Sequence, residues 1–165
     1  KLAGEGYCSA YYRTFNVETV ALRFGNVYGP GSVHKASVVA KFIKQALKGE
    51  TLEVYGDGGN TRDFIFIDDL LEAVILASTS PDIGGEIFQI ATSKETSVAE
   101  LADRILALLR VRGVRGVNLV NSSARLGDVR RNFSDTSKAF NMIGWKAMME
   151  LDAGLQKTID YFLGD

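Results

Sequence analysis

The chain has 165 residues, 46% of them hydrophobic and 24% charged, the proportions of one folded globular domain rather than a disordered segment. Nineteen lysines and arginines against twenty aspartates and glutamates leave a formal charge of −1, so no general field draws nucleic acid or an anionic membrane. One cysteine, Cys8, excludes an intrachain disulfide framework and a cysteine-only zinc site, and no apolar run approaches the ~18 residues of a membrane span. The sequence opens on Lys1 rather than Met, which fits a cut boundary, a processed end or the middle of a longer protein.

Helical and strand-like segments alternate, the pattern of an α/β fold. Residues 1–15 read as an amphipathic helix, with Leu2, Ala3, Tyr7, Ala10, Tyr11 and Phe15 near helical spacing. Residues 19–24 form a short apolar run that exits into Gly25-Asn26-Val27-Tyr28-Gly29-Pro30, the mark of a buried parallel strand ending in a loop. In open α/β sheets, ligands sit just beyond such strand ends. Residues 37–48 predict a helix whose apolar face is Val38, Val39, Phe42, Ile43, Ala46 and Leu47, with Gly49 as its stop. Leu52-Glu53-Val54-Tyr55 alternates as a strand does and runs into Gly56-Asp57-Gly58-Gly59-Asn60, which reads as a tight hairpin turn. Residues 64–67 predict another strand, and Asp68 and Asp69 follow where a helix N-terminus favours carboxylates. Residues 86–91 read as a strand, Ser97-Val98-Ala99-Glu100 as a capping box, residues 117–120 as a weak strand, and residues 136–143 and 151–163 as helices.

Most catalytic signatures are missing: there is no G-x-G-x-x-G and no Walker A loop. The lone histidine, His34, lies in a Gly/Ser-rich loop and reads as solvated, and Cys8 reads as a small packing residue. The arginines say more. Arg110, Arg112, Arg115, Arg125, Arg130 and Arg131 fall in one stretch whose only acid is Asp128. That stretch is a solvated basic face, a nucleic-acid patch, or the source of one arginine that reaches a small anion. No aromatic interleaves it, as a single-strand binder requires. Arg62 stands before a buried strand and needs a partner, either Asp63 or a phosphate.

Five motifs in order resemble a known family. They are Lys1-Leu2-Ala3-Gly4-Glu5, Leu22-Arg23-Phe24-Gly25-Asn26-Val27-Tyr28-Gly29-Pro30, Val54-Tyr55-Gly56-Asp57-Gly58 with Arg62-Asp63-Phe64-Ile65, Asp68-Asp69, and Arg125-Leu126-Gly127-Asp128 with Gly144-Trp145 downstream. Together they resemble the C-terminal part of an extended short-chain dehydrogenase/reductase of the NAD-dependent nucleotide-sugar epimerase/dehydratase family. Leu126 and Ala147 replace prolines of the family pattern. The resemblance implies Rossmann-like sheet elements joined to a small α/β substrate-binding domain.

It also implies roles. Lys1 matches the catalytic lysine that binds the nicotinamide ribose and lowers the pKa of a catalytic tyrosine, a cation beside a phenol favouring the phenolate. Phe24 and Val27 match nicotinamide-pocket positions. Asn26, Arg62 and Arg125 match diphosphate ligands, Leu52 and Tyr55 match residues flanking the nucleobase, and Asp128 matches an acid that orients Arg125 or touches the ribose. The implied reaction is hydride transfer from sugar C4 to NAD and back to the other face, with no metal. The R-L-G-D-V-R-R and L-D-A-G-L segments look more like UDP-hexose 4-epimerases than dehydratases.

The family's glycine fingerprint and catalytic tyrosine lie upstream of the lysine, so neither is among these residues. The expectation is therefore the substrate-binding part of a cytoplasmic UDP-hexose 4-epimerase, inactive and without NAD when alone, that associates with an N-terminal half or with itself. The alternative is a non-catalytic nucleotide-sugar-binding or partner module derived from the same family.

Overall fold

The computed structural model describes residues 1–164. In chain order the elements are α1 (Leu2–Phe15), β1 (Ala21–Phe24), β2 (Asn26–Tyr28), α2 (Val38–Leu47), β3 (Leu52–Tyr55), β4 (Thr61–Arg62), β5 (Phe64–Phe66), α3 (Ile67–Thr79), β6 (Ile87–Ile90), β7 (Thr96–Ser97), α4 (Val98–Val111), β8 (Leu119–Ser122), α5 (Ser137–Ile143) and α6 (Leu151–Leu163). The strands form pairs. β1–β6, β2–β5 and β3–β8 are parallel, and β4–β7 is antiparallel. The predicted strand over 19–24 is β1, and the loop expected after it holds a second strand, β2. The chain changes partner at Gly25, whose N–H bonds Ile90 while the N–H of Asn26 bonds Asp63 at 2.6 Å. A Cβ at Gly25 would lie 2.8 Å from the Asp63 carbonyl oxygen, so glycine is required for this close approach. The 56–60 turn is not a hairpin. β3 pairs with β8 and β4 with β7, so the turn hands the chain from one sheet to another, with Gly56 and Gly58 at positive φ.

Two apolar cores result. The first joins α2, α4 and α6 to Leu52, Val54, Phe64 and Phe66. The second gathers Ile65, Phe88 and Ile90 with Leu70 and Ala73 of α3, Ile143 and Trp145. The period-two alternation of β5 therefore feeds both: Phe64 and Phe66 enter one core and Ile65 the other. Each fully buried side chain of this kind contributes about 1.5–3 kcal/mol. The capping reading of Ser97 is realised, its side chain accepting the N–H of Glu100 at 3.1 Å. Asp69 is buried and accepts the N–H groups of Met148 and Met149, while the indole of Trp145 donates to its backbone oxygen, so α3 fastens the segment that leads into α6.

α1 lies apart from both cores. It buries no residue, and Leu2, Tyr7, Tyr11 and Phe15 are more than half exposed. Its ties are the Glu5–Arg23 ion pair, with two hydrogen bonds of 2.8 and 2.6 Å, the bond from Thr19 to the Cys8 carbonyl, and Tyr12 lying over Gly84 and Gly85. The half-exposed Phe24 shows that β1 is not the buried strand its sequence suggests. A cavity of about 620 Å³ opens beside β1, between residues 18–22 and 74–83. Among the described residues no helix is long and apolar enough to cross a membrane.

Candidate functional site

Five segments converge on a second cavity, of about 270 Å³, near the lower end of the size range for small-ligand sites. β2 supplies Asn26 directly after the strand switch at Gly25. β3 supplies Glu53 and Tyr55, two residues apart and so on one face. β4 supplies Arg62, and the irregular segment after β8 supplies Arg125 and Asp128. The N-terminus of α2 adds Ser37, Val38 and Lys41.

Tyr55 is a fixed platform. Its hydroxyl donates to Glu53 Oε2 at 2.8 Å, and Ser122, its partner across β3–β8, donates to Glu53 Oε1 at 2.5 Å. These bonds, that from Ser122 foremost, hold the Glu53 carboxyl below its ordinary pKa, with Lys41 and Arg125 adding to the effect. The guanidinium of Arg125 lies 3.7 Å above the Tyr55 ring, and Lys41 stands 5.5 Å from the same ring. Arg62 donates to Asp128 and to the carbonyls of Thr61 and Val129, both at 2.7 Å. Asn60 bonds the other Asp128 oxygen at 2.7 Å, and these contacts, Asn60 first, lower the Asp128 pKa.

Asn26, Tyr55, Arg62, Arg125 and Asp128 are thus brought together. Three readings change. Leu52 lies fully buried in the core, so it does not line this cavity. Asp63 does not partner Arg62. It is buried and accepts two bonds from Thr92 and one from Ser93. Asp128 orients Arg62 rather than Arg125, which leaves Arg125 on an aromatic face among the described residues. Lys1, Phe24 and Val27 lie elsewhere: Lys1 is exposed at the start of α1, Phe24 ends β1, and Val27 packs on the second core. Glu53, Lys41 and Asn60 escaped the sequence reading. The spacing of Glu53 and Tyr55 was the available signal for the first, and nothing local marks the other two.

The arrangement can grip an anion with planar guanidiniums while offering an aromatic face to a flat ring. Glu53, Asp128 and Arg62 are already engaged in hydrogen bonds, whereas Arg125, stacked on the Tyr55 ring, leaves its N–H groups to a ligand. Of the remaining cluster, Arg112, Arg130 and Arg131 pair with carboxylates, as expected of a solvated basic face. His34 is exposed.

Residues 1–91, more than half of the chain, match the sequence model of the NAD dependent epimerase/dehydratase family. The UDP-glucose 4-epimerase of Mycolicibacterium smegmatis is 35% identical over 164 residues, which make up 98% of this chain and 51% of that protein. The crystal structure of the Thermotoga maritima UDP-glucose 4-epimerase with UDP-glucose superposes with a TM-score of 0.90 at 32% identity, covering 99% of this chain and 52% of that one. The Bacillus cereus UDP-glucuronic acid 4-epimerase, in complex with UDP-glucuronic acid and NAD, does so at 0.85 and 28%, over 99% and 51%. The chain spans about half the length of the relatives it matches. With the family model covering more than half of the chain and the fold in agreement, the chain belongs to the NAD dependent epimerase/dehydratase family.

Proposed function

We propose that this chain forms the nucleotide-sugar-binding part of an NAD-dependent UDP-hexose 4-epimerase. The observation that carries the reading is the convergence of Asn26, Tyr55, Arg62 and Arg125, from four separate segments, on one 270 Å³ cavity. Arg125 and Arg62 clamp the diphosphate, Asn26 donates to it, and the Tyr55 ring supports the nucleobase. Asp128 keeps the Arg62 fork aimed. Holding the nucleotide this firmly leaves the sugar free to turn.

Lys1, Phe24 and Val27 fit the nicotinamide end of NAD. Lys1 and Phe24 are exposed, the latter at the C-terminal end of a parallel strand, where ligands of open α/β sheets bind. The fit is to that end alone, since the 165 residues contain no G-x-G-x-x-G to hold the pyrophosphate. Bound NAD supplies reversible hydride transfer at sugar C4. The ammonium of Lys1 favours the ionised form of a neighbouring phenol. Alone, the chain binds nucleotide sugar without turning it over. The apolar face of α1 is covered in the working enzyme by an N-terminal half or a second copy.

Isothermal titration of the folded chain with UDP and UDP-glucose tests the reading. Binding is expected, weakened about 10-fold or more in Arg62→Ala or Arg125→Ala, the scale of a lost charge-assisted hydrogen bond. A folded sample with no affinity for either ligand overturns it.

A further inference from the structure

Residues 123–133 carry Arg125 and Asp128 to the cavity, yet they form no helix or strand. They have little apolar anchorage: Leu126 is fully exposed, and Val129 and Phe133 are about half exposed. What fixes this segment over the site is therefore polar. Two ion pairs of the segment lie outside the cavity, Arg131 with Glu95 and Arg130 with Asp57, and the second reaches the turn before Arg62. Arg130 Nη1 and Nη2 reach the two carboxylate oxygens of Asp57 at 2.7 and 3.0 Å, and Nη1 also approaches Asn60 Oδ1 at 3.3 Å. Asp57 is itself fixed, accepting the N–H of Gly59 at 2.9 Å. The Arg130 carbonyl accepts the N–H of Thr61 at 2.9 Å, one residue before Arg62. Gly59 makes room for the pair, since a Cβ there would lie 2.8 Å from Arg130 Nη2. Neither Asp57 nor Arg130 lines the cavity.

We propose that Asp57 and Arg130 are positioning residues, a latch that joins the 56–60 turn to the 123–133 segment and so sets Arg125 and Asp128 over the nucleotide site. The bidentate geometry is what a latch requires, because two parallel bonds fix direction as well as distance. Arg130 holds the Asp57 carboxyl at a pKa of about 2, so the latch stays charged throughout the neutral range. Both side chains are more than half exposed, which limits the pair to a modest, salt-screened effect. The role rests on the nucleotide-sugar reading, and the test separates the two.

The 165-residue chain and its Asp57→Asn and Arg130→Lys variants are compared, with Lys138→Gln, at a remote ion pair, as control. Amide exchange at Thr61, read by NMR without ligand, is expected to quicken about 5-fold in both latch variants, the scale of an exposed pair. Arg130→Lys keeps the charge and loses the fork, so an equal effect there identifies geometry as the cause. Affinity for UDP is expected to fall about 5-fold while affinity for uridine, which carries no phosphate, stays unchanged. Unaltered exchange at Thr61 overturns the latch, and so does an equal loss for UDP and uridine, which marks general loosening. If the parent chain binds neither ligand, the nucleotide-sugar reading fails. The exchange rates then still decide the latch, quickened exchange supporting it and unaltered exchange refuting it.

Discussion

Asp63 shows how a residue next to the site serves the fold instead. Its carboxylate is almost fully buried and accepts the N–H and hydroxyl of Thr92 and the N–H of Ser93, at 2.6–2.9 Å. Ser93 is held at φ 59°, a left-handed conformation that a serine adopts at some cost. A buried acceptor with three donors cannot be removed without orphaning them. Asp63→Ala is therefore expected to lower unfolding stability by about 2–4 kcal/mol in urea denaturation. A loss below ~1 kcal/mol would show that the three donors find water. From sequence alone, Asp63 was one of two candidate partners for Arg62, the other being a phosphate. The structure divides them at the break between β4 and β5, Arg62 turning to Asp128 and Asp63 to Thr92 and Ser93. Arg62, Arg125, Asn26 and Tyr55 were legible because their motifs carry the family resemblance. Lys41 and Asn60 were not, since each enters the site through tertiary contact and neither sits in a distinctive local pattern.

At the scale of elements, the helices were read almost to the residue, because α2, α4 and α6 each present one apolar face to the first core. The strands were read less well. Their pairing is non-local: β3 finds β8 some 65 residues later, and nothing in either short run names its partner. Gly154 in α6 is another feature that propensity misreads. Glycine inside a helix costs about 1 kcal/mol relative to alanine, so Gly154→Ala looks stabilising on sequence grounds. Here, however, a Cβ would run into the Tyr28 hydroxyl and the Phe66 ring, both buried against the helix. Overpacking of that kind typically costs about 1–3 kcal/mol and outweighs the helical gain. Gly154→Ala is thus expected to be destabilising in chemical denaturation; a higher midpoint would mean that α6 slides outward at no cost.

For the whole molecule the unresolved account is apolar surface. α1 shows Leu2, Tyr7, Tyr11 and Phe15 to solvent, and α3 adds Leu71, Val74 and Ile75. β1 has no ladder partner other than β6 among the described residues. An exposed row of apolar side chains on a helix marks an interaction face. Sedimentation velocity across a concentration series is expected to show self-association of the isolated chain, reduced by Tyr7→Glu/Tyr11→Glu. A monomer at every concentration counts against the face being an interface.

The strand β5 has a consequence for how such a protein can be taken apart. Phe64 and Phe66 belong to one core and Ile65 to the other, within three consecutive residues, and the partner switch at Gly25 runs alongside. No peptide bond there separates one core from the other. A chimaera that borrows one core from a relative must therefore cut inside a shared strand, and it inherits side chains meant for a neighbour it no longer has. Grafts across this family should follow the alternation of that strand, residue by residue, rather than a boundary drawn between domains.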